Sequence, residues 1–164
     1  MTRKQIIALV RQLINDEQAT AFTEGGNLEE PEGTQELLNY LDRAVDEYSK
    51  NQAAAKDLRL VKRLTVTNGQ KLPDDFINVA GIVPILIEGG VVNFYDDVAE
   101  LPIKYFARLP YVTSYVDTDE LPYENDQAIQ ISARAAIYAL NKHEFNVSQD
   151  LLLLGAGTGQ NAVS

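Results

Sequence analysis

The chain has 164 residues, 45% of them hydrophobic, with 24 acidic against 14 basic side chains, a formal charge of −10, one histidine and no cysteine. That length suits one domain with its own core; the missing thiols exclude disulfide frameworks, Cys-ligated metals and cysteine nucleophiles, and one histidine excludes a His-rich metal site. The acidic balance argues against gripping nucleic acid through a cationic face, though not against a wall that DNA slides past.

Residues 2–15 carry apolar side chains at helical spacing (Ile6, Ile7, Leu9, Val10, Leu13, Ile14), and Thr2 with Gln5 matches a capping box. Arg3 and Lys4 at the positive end of the helix dipole, and Asp16 and Glu17 at the negative end, run the wrong way. Either partners outside the helix compensate or exposed ends tolerate the small penalty. The apolar run Ile6–Val10 is cut by Arg11 before a signal-peptide core is reached, and no run approaches the roughly 20 residues of a membrane span. The expectation is a protein made and used in a cytoplasm, or released by lysis, with no membrane contact.

Residues 15–33 read as an acidic loop, after which Thr34 is placed to cap a second helix, about 34–50, with the stripe Leu37, Leu38, Leu41, Val45 and Tyr48. Charge then falls in blocks: ten acids and one base in 16–47, six bases and one acid in 50–71, eleven acids and two bases in 72–126. The basic block, with Lys56, Arg59, Lys62 and Arg63, is either a solvated face or a contact with the acidic block of a neighbouring subunit.

Period-2 patterning from about 58 to 110 predicts a small antiparallel β-sheet inserted between helices. Asn68-Gly69 reads as a type I′ hairpin turn, Gly89-Gly90 as a second break, and 103–109 as a strand bounded by Pro102 and Pro110. Tyr105, Tyr111, Tyr115 and Tyr123 either anchor an interface or cover the sheet. Helix returns at about 126–143, apolar on two sides: Ile129, Ala133, Ala136, Ile137 and Leu140 on one, Ala128, Ile131, Ala135, Tyr138 and Ala139 on the other. That pattern predicts a central, closely packed helix. A short helix at about 148–154 precedes an uncharged tail, 155–164, with three glycines.

Catalytic chemistry has no visible constellation. The glycines after Leu151–Leu154 lack a following helix to hold phosphate, and the acids Asp117, Asp119, Glu120, Glu124 and Asp126 lack the spacing of a calcium loop. His143 stands at a helix end, where a structural role is expected. No catalytic, cofactor or metal site is read, and no enzyme activity is expected. The fold class is α+β, mainly helical: an antiparallel helix bundle with the β insertion in one domain, 1–154, and an extended tail at 155–164.

The order of features resembles the head–tail connector (adaptor) proteins of tailed bacteriophages. The likeness rests on the helix beginning Thr2-Arg3, a second helix ending near Tyr48, Leu72-Pro73-Asp74-Asp75-Phe76, Tyr105-Phe106-Ala107-Arg108-Leu109-Pro110, Leu121-Pro122 and the alanine-rich helix to Leu140, and covers most of 2–154. It implies a structural virion protein of the neck, assembled in the host cytoplasm. The implied assembly is a homo-oligomeric, twelvefold ring beneath the portal protein that extends the DNA channel and receives a downstream tail or neck protein. It also implies an acidic lumen that DNA passes without sequence-specific binding, and a C-terminal segment that docks on the portal. Here that segment would use Gly155, Gly157, Gly159, Ala162 and Val163. The alternative is a small acidic protein-binding or regulatory module without catalysis.

Overall fold

Helix α1 (Arg3–Leu13) begins where its capping box places it: Gln5 N–H donates to Thr2 Oγ1 at 3.2 Å and Thr2 N–H to Gln5 Oε1 at 2.8 Å. The computed structural model describes the backbone of residues 1–15 and 32–158, and the side chains of 1–15 and 34–142. The acidic loop therefore lies almost wholly outside the described residues. The architecture is α+β, and the domain read over 1–154 consists of two compact units, Met1–Ala44 with Tyr115–Ser164, and Val45–Ser114. Helix α2 (Glu32–Ala54) contributes its first part to one unit and its last part to the other.

In the first unit one of the wrong-way charges of α1, Arg3, finds a partner; Asp16 and Glu17 lie outside the described residues. Arg3 Nε lies 3.2 Å from Asp117, the terminal ammonium of Met1 lies 2.8 Å from Glu120, and the backbone N–H groups of Arg3 and Lys4 donate to the carbonyls of Asp119 and Asp117. The acidic 117–120 segment thus supplies both countercharge and acceptors to the helix start, where amide groups have no partner inside the helix. Helix α3 (Asn125–Thr158) packs against α1, with Ile6, Val10, Ala128, Ile131, Ala135 and Ala139 fully buried. Arg43 of α2 stacks over the Tyr138 ring at 4.2 Å, and Lys142 pairs with Glu36.

Helical boundaries differ from expectation at several places: α1 ends at Leu13 and α2 at Ala54, where about 15 and 50 were expected. Helix α2 starts at Glu32, so Thr34 lies inside its first turn, where its hydroxyl accepts from the buried Arg11. The helices read at 126–143 and 148–154 are one, because 144–147 contain no glycine or proline to stop α3. The helix also runs through Gly155 and Gly157 to Thr158, so the tail is not extended from 155.

In the second unit α2 ends in a Schellman motif: Asp57 N–H donates to Gln52 C=O and Lys56 N–H to Ala53 C=O, which places Lys56 at a φ of 60°. A side chain there costs about 1–2 kcal/mol, and glycine would return part of that through its freer unfolded chain. Lys56→Gly should therefore raise the stability of this unit by roughly 0.5–1 kcal/mol, read from the denaturant midpoint at unchanged slope.

Strands β1 (Val61–Thr67), β2 (Phe76–Val79) and β5 (Glu100–Ala107) form an antiparallel sheet in the order β1-β5-β2; β3 (Ile85–Glu88) and β4 (Val91–Phe94) form a second. One face of β1 and β5, carrying Leu64, Val66 and Ile103, packs with Leu72 and Val92 in a common core. The single expected sheet is thus two. Asn68-Gly69 does make a turn, but only Gly69 has positive φ, 80°, so it is not type I′; residues 69–72 instead bond to 90–92. The type I′ hairpin lies at Gly89-Gly90, both with positive φ, joining β3 to β4. Pro102 does not bound β5 but lies inside it opposite Thr65. There β5 has a neighbour on one side only, since β2 pairs no further than Tyr105, and proline is tolerated.

Candidate functional site

Two of the segments that carry the resemblance, Leu72–Phe76 and Tyr105–Pro110, meet in the second unit. Phe76 pairs with Ala107 and its ring stacks on Tyr105 at 5.5 Å, while Asp75 C=O accepts from Arg108 N–H at 2.7 Å. The Asp75 carboxylate accepts from Lys62 at 2.6 Å and from the Tyr105 hydroxyl at 3.2 Å. Burial, reinforced by the Asp75 charge, raises the pKa of Tyr105, so it stays a proton donor. Arg108 lies over the Tyr111 ring at 3.7 Å and donates to its hydroxyl at 2.6 Å; that hydroxyl donates to Asp46 of α2 at 3.1 Å, and Leu109 N–H donates to Ser49 of α2 at 3.1 Å. These residues form a polar clasp tying β5 to α2 and to the turn before β2. Asp46, Phe76 and Arg108 of the clasp also line, with Asp74, an open cavity of about 220 Å³.

The four basic residues read as one contact set separate into two pairs. Arg59 closes on Asp57, with Nη2 2.7 Å from Oδ2, and those hydrogen bonds hold the Asp57 carboxyl below the ordinary range. Lys62 is engaged by Asp75 on the core side of β1. Arg59 and Lys62 are thus each ion-paired inside their own unit.

Lys56 and Arg63 instead line an open groove of about 870 Å³. Its floor is the face of β1 and β5 opposite the core, and its walls are the end of α2, Leu58 and the turn Ala80-Gly81-Ile82 after β2. It holds a third cation that the sequence reading missed, Lys104, directly across the strands from Arg63. None of the three has an ion-pair or side-chain hydrogen-bond partner among the described residues, and no acid lines the groove. The only sequence signal for Lys104 is its place as one of two bases in an acidic block; its neighbour Arg63 is visible only once β1 is known to pair with β5.

Of the tail positions, Gly155 and Gly157 fall in α3, while Gly159, Ala162 and Val163 lie outside the described residues. Tyr105 and Tyr123 are buried and Tyr111 and Tyr115 half-buried; Tyr105 and Tyr111 belong to the clasp, and the exposed tyrosine is Tyr95. Among the described residues no group of His, Asp and Glu is arranged to hold a metal ion, and no helix is long and apolar enough to cross a membrane. Comparison with protein-family models, curated proteins and solved structures gives no match to this chain.

Proposed function

We propose that the chain is a structural subunit of a ring in the neck of a tailed bacteriophage, a helix bundle with a β insertion that joins head to tail beneath the portal and extends the DNA channel. The observation that carries the reading is the second side of α3. Ile129, Ile137 and Leu140 are 56%, 55% and 41% exposed, although they continue a helical apolar stripe with Ala133. Among the described residues Ala136 of this stripe is buried while these three are not, so the expected burial of α3 on both sides is met in full on one side only. A long helix with an apolar stripe left in water calls for a second surface, and in a ring each copy offers that surface to the next. The clasp built from Leu72–Phe76 and Tyr105–Pro110 supports the connector assignment, because the residues that carry the resemblance are the ones that hold the β insertion to its helix. The net charge of −10 suits a channel that DNA must not stick to.

Mixing the purified chain with the portal of the same phage, then sizing the complex and viewing it by electron microscopy, should show a twelvefold ring on the portal. Ile129→Glu with Ile137→Glu should leave the circular dichroism and unfolding midpoint nearly unchanged, since both positions are exposed, yet prevent ring formation. A chain that stays monomeric with and without portal overturns the proposal. The groove favours a second reading, a monomeric protein-binding module, which a one-to-one complex without a ring would select.

A further inference from the structure

The second unit carries two surfaces of opposite character. The groove has Lys56, Arg63 and Lys104 without countercharge, beside the apolar Leu58 and Ile82, which are 79% and 105% exposed. Arg63 and Lys104 are direct cross-strand neighbours, a like-charge placement that disfavours the sheet by about 0.2–1 kcal/mol and would be relieved by an external carboxylate. The second surface is the connection from β4 to β5. Residues 95–100, Tyr-Asp-Asp-Val-Ala-Glu, are all exposed, and Asp96, Asp97 and Glu100 have no ion-pair partner among the described residues. Tyr95 and Val98 expose apolar surface between those acids. By contrast Asp117 and Glu120, acids of the other unit, are already paired.

We propose that the groove receives the Tyr95–Glu100 segment of a second copy of this chain. Tyr95 and Val98 would settle against Leu58 and Ile82, and Asp96, Asp97 and Glu100 would answer Lys56, Arg63 and Lys104. Nucleic acid is the poorer occupant, because the surrounding chain is strongly acidic and the groove offers apolar side chains along with its charges. The two surfaces are different patches of one unit, so the contact can run head-to-tail, the kind that closes into a ring when the rotation between copies allows, or be returned reciprocally within a pair. The inference rests on the reading that copies of this chain associate, and it names the surfaces that do so in the β insertion.

The test is a charge swap. Arg63→Glu with Lys104→Glu, and separately Asp96→Lys with Asp97→Lys, should each weaken self-association by roughly 100-fold, because like charges then face each other. An equimolar mixture of the two variants, or one chain carrying all four changes, should recover it. Sedimentation velocity reads the association, and raised salt should weaken the unchanged chain. Because the chain has no cysteine, Ile82→Cys and Tyr95→Cys in separate copies can be joined only between copies by a short bis-maleimide. At high concentration this pair should cross-link well above a control of Ile82→Cys with Leu13→Cys, even if association is too weak to sediment. Reversed variants that associate like the unchanged chain, a mixture that does not recover, or cross-linking no better than the control overturns the proposal. Closed rings that ignore the reversals would overturn this contact and leave the ring reading standing. Association through these surfaces that stops at two copies would support the contact and overturn the ring.

Discussion

Arg108→Ala should destabilise the second unit by about 3 kcal/mol, seen as a lower denaturant midpoint at unchanged slope. The guanidinium makes a cation–π contact with Tyr111, a charged hydrogen bond to its hydroxyl and an ion pair with Asp46 at 3.6 Å, with its side chain only 23% exposed. The first is worth about 0.5–2 kcal/mol and the second about 1.5–3, while the third is discounted because Asp46 is 34% exposed. The three share one side chain, so they do not simply add. Arg108→Lys should lose about half as much. It keeps the charge, but an ammonium cannot lie flat on a ring and also donate from its edge. Tyr111→Phe keeps the stacking and removes one hydrogen bond, for about 1 kcal/mol. Arg108→Ala as stable as the unchanged chain would mean that the clasp is only a surface cluster.

The parts legible in the sequence are those decided within a few residues. The Thr2–Gln5 capping box and the buried Leu37, Leu38, Leu41, Val45 and Tyr48 of α2 follow from spacing alone. The parts misread are decided by distant partners. Pro102 ends a strand by local rule, yet it sits inside β5 because β2 does not reach it. Asn68-Gly69 scores above Gly89-Gly90 as a hairpin turn, but β1 pairs with β5, more than thirty residues away, and not with its immediate successor. The same non-local pairing sorts the basic block. Lys62 and Arg63 are adjacent in sequence, and strand alternation sends one to Asp75 and the other to Lys104 and the groove. The wrong-way charges of α1 are a readable conflict; only the fold shows that Asp117 answers Arg3.

If the chain is the neck subunit proposed above, ending it after Leu154, or after Thr158, should leave the unfolding midpoint nearly unchanged and abolish stable attachment to the portal. The buried side chains described on α3 lie between Gln127 and Ala139, so neither stop removes a core residue among those described. The last ten residues carry no charge, and only Ala156, Ala162 and Val163 are apolar beyond glycine. Docking 159–164 in one conformation would cost about 1–2 kcal/mol per residue of backbone, which the surface it binds would have to offset. The two stops separate two ways of docking, since 155–158 continue α3. Loss of attachment with both assigns docking to 159–164, whereas loss with the earlier stop alone assigns it to the helical end. Gly155→Ala with Gly157→Ala then asks whether that end must unwind. The pair favours helix by about 2 kcal/mol, so a docking mode that keeps the helix should tighten and one that opens it should weaken. Normal portal attachment by the shorter chain would show that the tail is not a docking element, and failure of that chain to fold would place the tail in the core instead.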